Sequence, residues 1–189
     1  MIRFTIYPNL IVSPQTRSNP YIQDYIKAIE SHEGLSVVNP PHKNPLKSIL
    51  SPAKWGDIFI FNWFESIPDF KYGILQSFVA IIYLFILKLF NKKIIWMLHN
   101  KKPHSGGKVW MKRLLTYIIA KNSDLIITHA SEGIDIIKRN FPSEINKVHF
   151  LHHPTIDRTN ESYLYSEKKY DLLICVTITH YKVIIYFID

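Results

Sequence analysis

Short runs of β-branched and aromatic residues alternate with helix-length segments along this chain of 189 residues. This alternation predicts βαβ units with right-handed crossovers, and therefore an α/β fold built on a largely parallel sheet. The expected strands are residues 2–7, 35–38, 58–61, 94–98, 125–128 and 148–151. The expected helices are residues 19–31, 74–90, 108–120 and 131–140, and residues 39–52, with four prolines, are expected to form a loop.

The same pattern predicts a domain boundary near the C-terminal end. Residues 1–156 are expected to form one domain, residues 157–169 a polar linker, and residues 170–189 the start of a second domain that opens with a strand. Cys175 is the only cysteine, so no intramolecular disulfide is expected. The first residues lack the pattern of a signal peptide, which makes the cytoplasm the expected location.

The chain carries a formal net charge of +8. A net positive charge of this size favours anionic partners, among them phosphates, nucleotides, nucleic acid and anionic membrane surfaces. The basic residues are scattered and do not interleave with aromatic residues on one face, so nucleic acid is not an expected partner.

The segment from Ile74 to Phe90 is strongly apolar and leaves three alternatives open. As a helix it spans ~25 Å at about 1.5 Å per residue, which is shorter than a hydrocarbon core of about 30 Å. It is a transmembrane span, a crossover helix buried against the sheet, or a helix that lies on the membrane. In the third case Lys88, Lys92 and Lys93 would meet anionic headgroups.

Polar and aromatic residues follow two of the expected strands, where parallel α/β sheets bind ligands. His99 and Asn100 follow residues 94–98, and a histidine there either contacts a ligand and transfers protons or satisfies backbone groups at the strand end. Asn62, Trp63 and Glu65 follow residues 58–61. They suit a carbohydrate or a lipid-linked acceptor, and the alternative is a capped loop with a packed tryptophan.

Ser131 and Glu132 open a helix after the strand at 125–128. Free backbone N–H groups at a helix start bind anions, but an ordinary helix cap explains these residues better. The nine histidines show none of the metal-binding spacings, so no metal site is expected. The chain also lacks the glycine motifs of dinucleotide-binding and P-loop proteins and the G-x-S-x-G turn of hydrolases.

Several local signatures occur in an order that resembles the N-terminal half of GT-B glycosyltransferases, in the large retaining group often called family 4 or glycosyltransferase group 1. The signatures are Asn19-Pro20-Tyr21, Gly56-Asp57-Ile58 with Asn62-Trp63, Ile95-Trp96-Met97-Leu98-His99-Asn100 with Pro103-His104, Ser123-Asp124, Ser131-Glu132, and Lys147-Val148-His149 with His152-His153-Pro154. They are spread between Asn19 and Pro154.

This resemblance implies a Rossmann-like parallel sheet with helices on both faces, as the acceptor-side wall of a two-domain cleft. It implies that His99 is the catalytic residue beside the donor sugar. Acceptor contacts would come from Asn62, Trp63, Glu65, Asn100 and His104, and donor contacts from Ser131, Glu132 and Lys182. The substrates would be a nucleotide sugar and a glycan or lipid-linked acceptor, with no separate cofactor. Peripheral attachment to the inner membrane is common among such enzymes.

The chain departs from the family pattern after residue 170. Val176 and Val183 stand where relatives have glycine, and the acidic E-x7-E donor motif is absent. The expected function is therefore sugar transfer in surface polysaccharide synthesis by a chain that is inactive or nearly inactive alone. Two alternative functions remain open. One is a non-catalytic, membrane-associated binding module that pairs with a separate donor domain, and the other is a metal-dependent hydrolase.

Overall fold

The computed structural model describes residues 1–11, 21–99 and 108–152, which belong to one compact unit, Met1–Thr155. Six strands form one sheet in the order β2-β1-β3-β4-β5-β6, and every neighbouring pair is parallel. The strands are β1 (Ile2–Tyr7), β2 (Leu35–Val37), β3 (Ile58–Asn62), β4 (Lys93–Leu98), β5 (Leu125–Thr128) and β6 (Val148–Phe150). The predicted α/β class with a parallel sheet is confirmed.

Helices connect these strands. They are α1 (Tyr21–Glu30), α2 (Lys47–Leu50), α3 (Gly73–Leu89), α4 (Val109–Asn122) and α5 (Ser131–Asn140), and three 3-10 turns cover Pro52–Lys54, Phe64–Asp69 and Pro142–Lys147. The prediction of an uninterrupted loop at 39–52 is wrong, because α2 lies within it. The Asn44 carboxamide oxygen accepts hydrogen bonds from the backbone N–H groups of Leu46 and Lys47, which supports this short helix.

The two faces of the sheet carry separate cores. Alternate residues of β3 point to opposite faces, so Phe59 and Phe61 pack with one core and Ile60 with the other. The helices α3, α4 and α5 cover the first face, and α1 covers the second. Helices therefore lie on both faces of the sheet, as predicted.

The segment from Ile74 to Phe90 forms α3, the crossover helix between β3 and β4. One side of α3 is buried against the sheet through Ala80, Leu84 and Leu87. No helix among the described residues has the length and apolar character needed to cross a membrane.

The chain changes direction across the sheet at β1. The first crossover places β2 on one side of β1, whereas β3 lies on the other side and later strands continue outward from it. Ligands of open α/β sheets bind at the carboxyl ends of the strands beside such a switch. Here those ends are Tyr7 of β1 and Asn62 of β3, which are adjacent in the sheet.

Candidate functional site

His99 and Asn62 form a hydrogen-bonded pair at the carboxyl ends of β4 and β3. The Nε2 atom of His99 lies 2.9 Å from Oδ1 of Asn62. Asn62 is fully buried, and its Nδ2 donates to the Tyr7 carbonyl oxygen at 3.2 Å. Because that bond fixes the orientation of the amide, Oδ1 faces His99 and accepts from Nε2–H. The network therefore assigns the neutral His99 ring to the tautomer with its proton on Nε2.

Two aromatic rings enclose the imidazole of His99. The Trp63 ring stacks on it with centroids 4.7 Å apart and an interplanar angle of 22°. The Tyr21 ring meets it edge to face at 5.0 Å and 88°. Trp63 has φ 48° and ψ 34°, a left-handed conformation that costs a bulky residue on the order of 1–3 kcal/mol. The surrounding contacts hold Trp63 in this conformation, with its ring on partly buried His99.

A second histidine extends this network to β5 and β6. The hydroxyl of Tyr21 lies 3.0 Å from Nε2 of His129, and Nδ1 of His129 lies 2.9 Å from the Leu151 carbonyl oxygen. Because a carbonyl only accepts, Nδ1 of His129 carries a proton, and in the neutral ring the Tyr21 hydroxyl donates to Nε2. Burial, and then the neighbouring Tyr25, raises the pKa of Tyr21, so the hydroxyl stays protonated. The His99 and His129 rings are 5.8 Å apart.

Tyr21 and His129 were not among the residues that the sequence placed at the site. We define the strand-end cluster as Asn62, Trp63, His99, Tyr21 and His129. His129 follows β5 directly, just as His99 follows β4, and this equivalent position was the available signal. Tyr21 is the first residue of α1, and sequence periodicity does not show where its phenol hydroxyl points.

The structure brings Glu132 to the edge of this cluster. A cavity of about 180 Å³ is lined by Leu98, His99, Thr128, Ala130, Glu132, Gly133 and Ile136. Helix α5 packs so closely against the end of β5 that a Cβ atom at Gly133 would overlap the Thr128 hydroxyl. Ser131 begins the helix with Ala130 as its N-cap, and the Ser131 hydroxyl lies 3.4 Å from the Glu132 carboxylate.

Glu65 is not brought into the strand-end cluster. It lies in the 3-10 turn after β3 and is only 5% exposed. Among the described residues, neither its Oε2 atom nor the nearby Trp96 Nε1 has a hydrogen-bond partner. Burial raises the pKa of Glu65, and a hydrogen bond to its own backbone and the charge of Lys112 offset only part of that rise.

Three predicted site residues, Asn100, His104 and Lys182, lie outside the described residues, as do the linker and the strand expected at 170–175. Within the described ranges, no three His, Cys, Asp or Glu residues are grouped so that they could hold a metal ion.

No protein-family model matches the chain, and no curated protein matches it.

The cluster has the chemistry of a site that positions a polar, ring-shaped ligand. A histidine with an assigned tautomer offers directed hydrogen bonding, and aromatic rings offer flat apolar surfaces. The adjacent helix start favours negative charge, because its backbone N–H groups point outward.

Proposed function

We propose that this chain supplies the acceptor-side wall of a glycosyltransferase that moves a sugar from a nucleotide sugar to a glycan or lipid-linked acceptor. The site would serve surface polysaccharide synthesis. One observation carries the proposal: His99 directly follows β4, the neighbour of β3 at the switch point, and it is held by Asn62 and enclosed by Trp63 and Tyr21. The order of the sequence signatures adds support.

Each residue has a defined role in this proposal. His99 contacts a sugar hydroxyl at the reaction centre, and Asn62 positions the imidazole. The partly buried Trp63 ring forms the apolar wall against which a sugar ring rests, and the buried Tyr21 ring supports it edge to face. Glu132 lines the cavity beside His99, where the start of α5 faces the phosphate side of a nucleotide sugar.

Acceptor binding is the most direct test, because it depends only on this wall of the cleft. The 189-residue chain, labelled at its histidines, is titrated with neutral oligosaccharides and with a polyprenyl-diphosphate-linked sugar, and NMR follows the imidazole signals. We expect a saturable shift of the His99 signals. His99→Ala should weaken binding at least about tenfold, the loss typical of a central polar contact, whereas the exposed His32→Ala serves as the control.

The outcomes separate the candidate functions. Absence of saturable binding to every acceptor, or equal binding by His99→Ala, would overturn the proposal. Co-purification with a separate chain that supplies the donor domain would favour the binding module, because binding without transfer by this chain alone is expected for both functions.

A further inference from the structure

Helix α3 exposes a continuous line of large apolar side chains on the side that faces away from the sheet. We define the apolar stripe as Leu75, Phe78, Ile82, Phe85 and Leu89, which are 66%, 49%, 60%, 55% and 79% exposed. Their spacing of three and four residues places them along one side of the helix, ~21 Å from first to last at about 1.5 Å per residue. The stripe is therefore one surface and not a scatter of single exposed residues.

The buried side of the same helix lies opposite the stripe. It consists of Ser77, Ala80, Tyr83, Leu84 and Leu87. From Tyr72 to Leu87 the chain contains no charged residue. A surface helix of a globular protein normally turns a charged face to water, so a helix that is apolar on both sides has a second apolar environment.

The charges around the stripe are unequal at its two ends. At the C-terminal end Lys88 and Lys93 contact Asp124, at 3.2 and 3.5 Å, and Lys92 lies 3.8 Å from Asp57. These lysines are therefore partly neutralised within the protein.

At the N-terminal end of the stripe, Lys43 and Lys71 line an open cleft of about 390 Å³ together with Tyr72 and Gln76. Within the described part of the chain neither lysine forms an ion pair. Positive charge is thus available directly beside the first residue of the stripe, Leu75.

We propose that the apolar stripe docks on the surface of an anionic phospholipid bilayer, with α3 lying in the plane of the membrane. The apolar side chains enter the boundary between headgroups and acyl chains, and Lys43 and Lys71 meet lipid phosphates. The flat orientation follows from the fold, since both ends of α3 connect to neighbouring strands of one sheet. The positive charge of Lys43 and Lys71 beside the stripe favours an anionic lipid surface over an apolar protein partner. This inference does not depend on sugar transfer.

Vesicle flotation with the full chain tests this inference. The vesicles contain phosphatidylcholine alone or an equal mixture of phosphatidylcholine and phosphatidylglycerol. The double variant Ile82→Gln/Phe85→Gln removes apolar surface without disturbing the core, and circular dichroism checks its fold. We expect each replacement to lower the partition coefficient about tenfold. Leu151→Gln, which is 51% exposed on another part of the unit, should bind like the unchanged chain.

The charge component is tested separately by Lys43→Gln and Lys71→Gln. Each should reduce binding to the anionic vesicles about fivefold and leave binding to neutral vesicles unchanged. Lys27→Gln on α1, which covers the opposite face of the sheet, is the matched control.

Three results would overturn the inference. The first is failure of the unchanged chain to float with anionic vesicles. The second is equal flotation of the Ile82→Gln/Phe85→Gln variant. The third is a dimer in sedimentation velocity that dissociates in this variant, which would assign the stripe to a second copy of the chain.

Discussion

Replacing Asn62 with alanine should both destabilise the domain and release the orientation of His99. Asn62 is fully buried and joins two groups: its amide donates to the Tyr7 carbonyl and accepts from His99 Nε2. A net hydrogen bond is worth about 1 kcal/mol, and a buried polar group that loses its partner costs about 1–3 kcal/mol. Two such bonds give an expected loss of about 2–4 kcal/mol in the free energy of unfolding.

Urea unfolding measures this loss, with Asn140→Ala as the matched control. The exposed Asn140 side chain donates to the Ile136 carbonyl, and its removal should cost less than about 0.5 kcal/mol. Nitrogen NMR of the imidazole reports the second effect, because the bond to Asn62 favours the tautomer with the proton on Nε2, and its loss raises the population of the other tautomer.

In Asn62→Ala we therefore expect the two ring-nitrogen shifts of His99 to move toward each other. A loss no larger than that of the control, together with His99 shifts that keep their separation, would show that Asn62 does not position the histidine.

Two carboxylates should give opposite pH effects. Burial raises the pKa of Glu65, so its contribution to stability is present at low pH and is lost as the pH rises from the unfolded value through the raised folded value. Glu65→Gln should remove this loss. If the free energy of unfolding of the variant changes with pH as it does in the unchanged chain, Glu65 does not have a raised pKa. Hydrogen bonds from Lys121 and Lys147 lower the pKa of Glu144 to about 2, so its contribution is present above 4.5 and is lost as the pH falls toward 2. Thermal unfolding should show that Glu144→Gln lowers stability at neutral pH but not at pH 2. A loss of stability that is the same at both pH values would contradict this role of Glu144.

Most of the fold could be predicted because the central strands are short, continuous apolar runs between helix-length segments. The run at 125–128 and the helix at 131–140 have the predicted bounds. Strands buried on both faces are apolar throughout, which makes them visible in the sequence. Helix α2 was missed because its support is a side-chain bond from Asn44 and not an apolar period.

The sequence predicted only those site residues whose place is set by following the end of a strand. His99, Asn62 and Trp63 follow strand ends, and the structure brings them together. The left-handed backbone of Trp63 is followed by a 3-10 turn in which Phe64 and Glu65 are buried. Such a reversal is set by tertiary packing, so the sequence pattern could not show that Glu65 leaves the crevice.

Leu75, the first residue of the apolar stripe, lies near the same edge of the sheet as the strand-end cluster. Helix α3 follows the carboxyl end of β3 through the turn at Phe64–Asp69, so its first residues lie at the edge of the sheet where His99 is found. Docking of the stripe would therefore bring that edge to the lipid surface, within reach of an acceptor anchored in the same bilayer.

This arrangement predicts a difference between two kinds of acceptor. The Ile82→Gln/Phe85→Gln variant should bind a vesicle-borne, lipid-linked sugar at least about tenfold more weakly, because the surface contact raises the effective concentration of the site. The same variant should bind a free oligosaccharide with unchanged affinity, whereas His99→Ala should weaken both. Equal loss of both ligands in the stripe variant would mean that the helix supports the site structurally, and unchanged binding of both would mean that the bilayer plays no part in acceptor capture.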